Sequence, residues 1–243
     1  MESELKYQSL FSQPDPRWGD IMLGTSGGQT IASAGCLLSV AAAMLCEFGA
    51  RTDPGRLNRW LCRNNGYTHG NNIIFSALSR FAADRGIFVA SDIVDCGNIP
   101  APMGRVRDTL RGGGAVLAKV DFRPGGAVQQ HWVRLLACDE ADCLIHDPWL
   151  PPGTAAYSLM ARYAHHTWND PARVIFRLAL YRVVDDERGR QDDGGHRAAP
   201  VECPAVQTEL SPRAVGSGGA ASGSYVITLP AWGPFDQIYK EET

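Results

Sequence analysis

The sequence predicts an α+β fold in which an N-terminal helical lobe packs on a C-terminal antiparallel sheet. Three observations support this. Stretches with apolar residues at helical spacing fall in the first half of the chain. Runs rich in β-branched and large apolar residues dominate the second half. Two short turn sequences join consecutive runs of that second set, which is the order of an antiparallel sheet following helices and not of alternating βαβ units.

The first helix is expected over residues 36–48, where Leu37, Val40, Ala41 and Met44 recur at helical spacing and Gly49 offers a stop. Its nearly unbroken apolarity marks it as buried. The second opens with Asp53 as N-cap and Pro54 at the first helical position, carries Leu57, Trp60 and Leu61 on one face, and breaks at Asn64-Asn65-Gly66. A third is expected over 72–84, with Ile73, Ala77, Leu78 and Phe81 inward and Gly86 closing it. A fourth covers 103–111. Strands are expected over 87–94, 115–122, 129–138, 143–146 and 174–184. The turns Arg123-Pro124-Gly125-Gly126 and Asp139-Glu140-Ala141-Asp142 make the strands carrying His131 and His146 neighbours.

With 243 residues, 44% of them apolar, the chain is long enough to bury a substantial core. Its 23 basic and 26 acidic side chains give a formal charge of −3, so no basic field exists to recruit nucleic acid by counterion release. The longest nearly apolar run, 36–46, is about half of the roughly 20 residues a membrane helix needs, and no membrane span is expected. The polar stretch from Met1 to Lys6 lacks the apolar core of a leader, which predicts synthesis in the cytoplasm without an export signal. The seven cysteines are then expected to be mostly reduced. Cys138 and Cys143 flank a four-residue turn and are read as two reduced core thiols.

Composition divides the chain into a folded domain (1–184), a linker rich in Gly, Ser and Pro (185–224) and a short apolar segment (225–243). That last segment has two readings: a strand returning to the domain, or a peptide that docks on a protein assembly partner by adding to a sheet edge.

Cys36 follows Gly35 and opens an apolar helix, where unpaired N–H groups and the positive dipole end favour the thiolate. His131 starts a strand whose alternate residues Val133, Leu135 and Ala137 face the core, so its imidazole sits at the open end of that face, able to exchange a proton with Cys36. Asp147 ends the neighbouring strand ahead of Pro148, where its carboxylate can orient the imidazole. His165-His166 lacks partners at ligand spacing, so no metal is expected. Gly112-Gly113-Gly114 precedes a strand and opens no helix, unlike a phosphate-binding loop.

A wider pattern joins these residues: Ser12-Gln13-Pro14-Asp15-Pro16-Arg17-Trp18, Leu23-Gly24, Thr30-Ile31, Gly35-Cys36-Leu37-Leu38, Asp53-Pro54, Asn65-Gly66-Tyr67, His131-Trp132-Val133 and His146-Asp147-Pro148-Trp149. Over residues 8–183 it resembles the papain-superfamily cysteine peptidases related to the bacteriocin leader (double-glycine) peptidases, in a stand-alone phage or bacterial form. The resemblance implies a papain-like fold and a thioester-forming peptidase or amidase that needs no cofactor. It implies Cys36 as nucleophile, His131 as general base and acid, Asp147 as orienting carboxylate and Gln13 as oxyanion donor, with Gln8 or Gln29 as substitutes for Gln13 under a shifted alignment. Leader peptidases of this group are usually fused to a transporter, and that role is not carried over. Stand-alone members resemble domains of bacteriophage and cell-wall proteins, which implies peptide or peptidoglycan substrates and action from a virion or after lysis. The competing expectation is a structural or binding component of a phage tail or virion that keeps the fold and docks through its tail.

Overall fold

The computed structural model describes residues 10–185 except 98, 124–127, 152–155 and 165–168. The expected linker beyond Asp185, the segment 225–243, Gln8 and the His165-His166 pair lie outside the described residues, as does part of the first expected turn.

Helix α1 (Ile31–Ala34) is one turn, started by Thr30, whose side chain accepts from the Ser33 N–H while the Ser33 side chain accepts from the Thr30 N–H. α2 (Cys36–Glu47) follows after the single residue Gly35. α3 (Pro54–Arg63) starts at the Asp53 cap the sequence signals, with Asp53 accepting from the Arg56 N–H at 2.7 Å. α4 (Phe75–Ala83) begins later than expected. Ile73 bridges Tyr67, and Asn71 takes φ 63°, so the residues ahead of Phe75 form a tight turn. Strand β1 (Val89–Asp95) and α5 (Met103–Arg111) lead into β2 (Ala115–Asp121), β3 (Gln130–Cys138) and β4 (Cys143–His146). The short β5 (Tyr157–Ser158), α6 (Leu159–Tyr163) and α7 (Pro171–Val174) precede β6 (Arg177–Val183). The last strand starts three residues later than expected because Asp170 caps α7, its side chain accepting from the Ala172 N–H.

The six strands form one sheet in the order β1-β6-β2-β3-β4-β5, with antiparallel pairing throughout. Side chains alternate between two apolar cores. Leu117, Trp132, Ala179 and Tyr181 face α2, α3 and α4, where Met44, Leu57, Leu78 and Phe81 are buried. Val116, Val120, Val133, Leu135 and Ile145 face the opposite way, under Val106 of α5, Leu159 and Tyr163 of α6 and Val174 of α7. Helices and an antiparallel sheet are both present as expected, and helices cover both faces of the sheet. The unbroken burial of Ala115–Ala118 in β2 is the sequence trace of that double coverage.

The turn after β3 forms where expected, with Asp139 Oδ1 accepting from the N–H groups of Ala141 and Asp142 at 2.8 Å each. Cys138 and Cys143 are direct register partners with Cα atoms 4.1 Å apart, and they are joined by a disulfide. The expectation of two reduced thiols is therefore corrected: hairpin register placed the pair, whereas the reduced reading rested on the expectation of no export signal. Among the described residues, Cys36, Cys46, Cys62 and Cys96 take part in no disulfide.

Gly35 sets the distance between α1 and α2. A Cβ there would lie 2.5 Å from the Ile31 carbonyl oxygen and 2.7 Å from Ile31 Cγ2, so only glycine lets the second helix start so close to the first. Gly35→Ala is expected to lower stability by about 2–3 kcal/mol, read from urea unfolding. A variant within about 0.5 kcal/mol of the parent would contradict this packing constraint.

Candidate active site

Three elements bring the predicted residues together. α2 presents Cys36 at its first position, where the N–H groups of the opening turn lack intrahelical partners and the helix dipole favours a thiolate. β3 carries His131 as its second residue, on the face of Val133 and Leu135. Ala137, expected on the same face, is displaced by a register shift between Leu135 and Ala137 and is exposed. β4 pairs with β3 so that His146 opposes Arg134, and Asp147 follows on the His131 face.

His131 Nε2 lies 2.8 Å from Asp147 Oδ1. Both residues are 4% exposed. The Cys36 thiol is hydrogen-bonded to the His131 ring, which leaves Nδ1 as the nitrogen facing sulfur, and the backbone N–H groups of Trp132 and Leu37 also point at the sulfur. Burial opposes ionisation of Cys36, but the His131 hydrogen bond and charge outweigh it, and the thiol lies below its ordinary value of 9.0. Burial likewise opposes the charged form of His131, yet Asp147 and Cys36 together push its pKa up to about 9. Opposite shifts in one contact favour a thiolate beside an imidazolium, titrating as a pair. Cys36 as a residue is half-buried.

Asp147 is held well below the usual carboxylate range. Burial opposes its charge, but His131, Arg162 and Tyr163 overcome that cost. Aromatic rings wall the imidazole: Phe122 at 5.0 Å between centroids and Tyr163 at 5.9 Å, with Trp149 5.3 Å from Phe122. Such a wall keeps water from competing for the His131–Asp147 hydrogen bond.

Gln13 is brought to the same neighbourhood by a strap of main-chain and side-chain bonds. Its N–H donates to the Pro148 carbonyl at 2.6 Å, one residue beyond Asp147. Ser12 Oγ donates to the Leu150 carbonyl at 2.6 Å, and His146 Nε2 donates to the Phe11 carbonyl at 3.0 Å. The Gln13 side chain is buried and donates through Nε2 to the Ala32 carbonyl at 2.6 Å, four residues before Cys36. A primary amide nitrogen carries two N–H bonds, so this contact uses one of them. Gln29, the other described glutamine considered for this role, is exposed, and its carbonyl accepts from the Leu23 N–H.

Sequence reasoning missed Arg162, Tyr163 and His146. The first two sit on a five-residue helix with too few residues to show a period. His146 stood inside the quoted motif without a role, although a histidine in the middle of an apolar strand end signals a buried, hydrogen-bonded ring. No group of three or more metal-ligating side chains is present among the described residues. No helix among them is long and apolar enough to cross a membrane.

Burial, together with the Arg134 charge across the register pair, pushes the His146 pKa down to about 4. The folded state therefore keeps His146 neutral while the unfolded chain takes up a proton near 6.5. Its contribution is intact above about pH 6.5 and is lost as pH falls toward 4. Relative to His146→Gln, the wild type is expected to lose about 2 kcal/mol of unfolding free energy between pH 7 and pH 5 in urea titrations. Parallel pH dependences for the two proteins would contradict a neutral buried His146.

No protein-family model and no curated protein matches the chain. Among solved structures it is similar to a crystal structure of a candidate C39-like peptidase from Bacillus anthracis, with TM-score 0.41 and 14% identity over 71% of this chain and 93% of that chain. At that score and identity the likeness assigns no residue a role, and the site is described from its own geometry.

Proposed function

We propose that the chain is a cysteine-dependent hydrolase that cleaves a peptide or amide bond through a thioester acyl-enzyme. The observation that carries this reading is the hydrogen-bonded line from Cys36 through His131 to Asp147, begun by a half-buried cysteine at a helix N-terminus.

In this reading the Cys36 thiolate attacks the substrate carbonyl carbon. The oxyanion that forms accepts hydrogen bonds from the Cys36 N–H at the start of α2 and from the second N–H of the Gln13 amide. His131, charged at Nδ1, gives its proton to the departing amine as the C–N bond breaks, leaving a thioester. Neutral His131 then takes a proton from water, which attacks the thioester and releases a carboxylic acid and the thiolate. Asp147 keeps Nε2 protonated and the ring oriented throughout. Substrates are expected to be peptides or the peptide portion of peptidoglycan. The structural-component alternative rests on residues beyond 185, outside those described.

Peptides of varied sequence and purified peptidoglycan, incubated with the protein and read by mass spectrometry for new amines, test the proposal. Cleavage that disappears in Cys36→Ala and falls about 10²-fold in kcat in Gln13→Ala is the expected result. The pH profile of kcat/KM should rise through the depressed Cys36 pKa and fall near 9, where His131 loses its proton. Cleavage that persists in Cys36→Ala would contradict the proposal.

A further inference from the structure

Helix α6 is five residues long, yet it delivers two side chains to a single oxygen atom. Asp147 turns Oδ1 toward His131 Nε2 at 2.8 Å and the Trp149 N–H at 3.0 Å. Its Oδ2 accepts from the Tyr163 hydroxyl at 2.6 Å and from Arg162 Nε, and Arg162 Nε also lies 3.2 Å from the Tyr163 oxygen. α6 is itself tied to β4, the strand that leads into Asp147. Asp142, just ahead of β4, accepts from Ser158 Oγ, from the Met160 N–H at 2.9 Å and from the Cys143 N–H at 2.7 Å. The Ser158 hydroxyl in turn caps the Ala161 N–H at 2.9 Å.

We infer that Arg162 and Tyr163 are positioning residues that lock the Asp147 carboxylate with one oxygen toward His131 and draw part of its negative charge away from the imidazole. This rests on the hydrolase reading and deepens it. The Asp147 side chain is fully buried, and without donors on Oδ2 one oxygen would be left unsatisfied or free to rotate the carboxylate out of line. Tyr163 supplies a neutral donor. Arg162 supplies a cation, at 16% side-chain exposure, and its guanidinium also stands 5.9 Å from the Tyr157 ring centroid. A cation on the far side of Asp147 weakens the hold of that carboxylate on imidazolium.

The groups that act on the pair come from four elements: Cys36 from α2, His131 on β3, His146 with Asp147 at the end of β4, and Arg162 with Tyr163 on α6. Of these, Arg162 alone is a cation that opposes the pull of Asp147 on His131 without taking part in the proposed proton transfer.

Removing the Arg162 charge should make imidazolium harder to deprotonate. NMR titration of the histidine ring nitrogens in the full chain, with the His131 signal identified by its loss in His131→Ala, reads this directly. Arg162→Met is expected to raise the His131 midpoint by about one pH unit, a tenfold change in its proton equilibrium. Tyr163→Phe should give a smaller rise, and Arg162→Lys should return the midpoint toward the wild type. Tyr163→Phe removes a single oxygen and serves as the test where Arg162→Met does not fold. A His131 midpoint that is high in the wild type and unmoved in the folded variants overturns the inference and leaves the hydrolase reading standing. A wild-type midpoint near the ordinary 6.5, insensitive to Cys36→Ala, overturns both.

Discussion

A fully buried carboxylate costs several kcal/mol in desolvation unless its charge is met, and in this protein that requirement organises the site. Asp147 meets it with four donors drawn from three places: the His131 ring on β3, the Trp149 N–H in the turn after β4, and the Arg162 and Tyr163 side chains of α6. Each donor fixes a separate piece of chain. The β3–β4 register puts His131 in reach, the tight turn at Pro148 aims Trp149 inward, and the Asp142 anchor holds α6 against the strand end. Loss of the carboxylate would release all three, which is why Asp147 is both a structural centre and the proposed orienter of the imidazole.

The opposite face of the sheet supplies Cys36, the proposed nucleophile. α2 packs through Leu38, Ala41 and Met44 into the core it shares with Trp132, and Gly35 lets α1 and α2 approach closely enough for the chain to turn immediately before Cys36. The sulfur then receives the N–H groups of Leu37 and Trp132, one from the helix and one from β3. The site is thus built where the N-terminus of one helix meets the start of one strand. The sheet separates the two cores but carries polar groups through: His131 and Asp147 lie on one face, while Arg134 forms an ion pair with Glu47 and His146 holds the Phe11 carbonyl on the other.

Much of this arrangement was legible in the sequence because it is locally encoded. Cys36 at the start of an apolar run, the Asp53-Pro54 cap and the turn 139–142 each carry their own signal, and the hairpin made the strands of His131 and Asp147 neighbours. What the sequence left hidden depends on contacts distant along the chain. Arg162 and Tyr163 reach Asp147 from fifteen and sixteen residues away, on a helix too short to show a period. The coverage of the second sheet face came from α5, which the sequence signals over 103–111, and from α6 and α7, which are too short to show a period, although the continuous apolar run in β2 pointed to it. The Cys138–Cys143 pairing was read correctly in position and wrongly in oxidation state, because the redox inference came from the start of the chain and not from the hairpin.

The central claim is that Cys36 and His131 form a thiolate–imidazolium pair, and it can be measured without a substrate. The rate of iodoacetamide alkylation at each cysteine, followed by peptide mapping across pH in the wild type and in His131→Ala, tests it most directly. Cys36 is expected to react well below the free-thiol range of about 8.5, faster than Cys46, Cys62 and Cys96, and His131→Ala is expected to remove this advantage. A Cys36 that reacts no faster than Cys46 or Cys62, or whose profile is unchanged in His131→Ala, would contradict it.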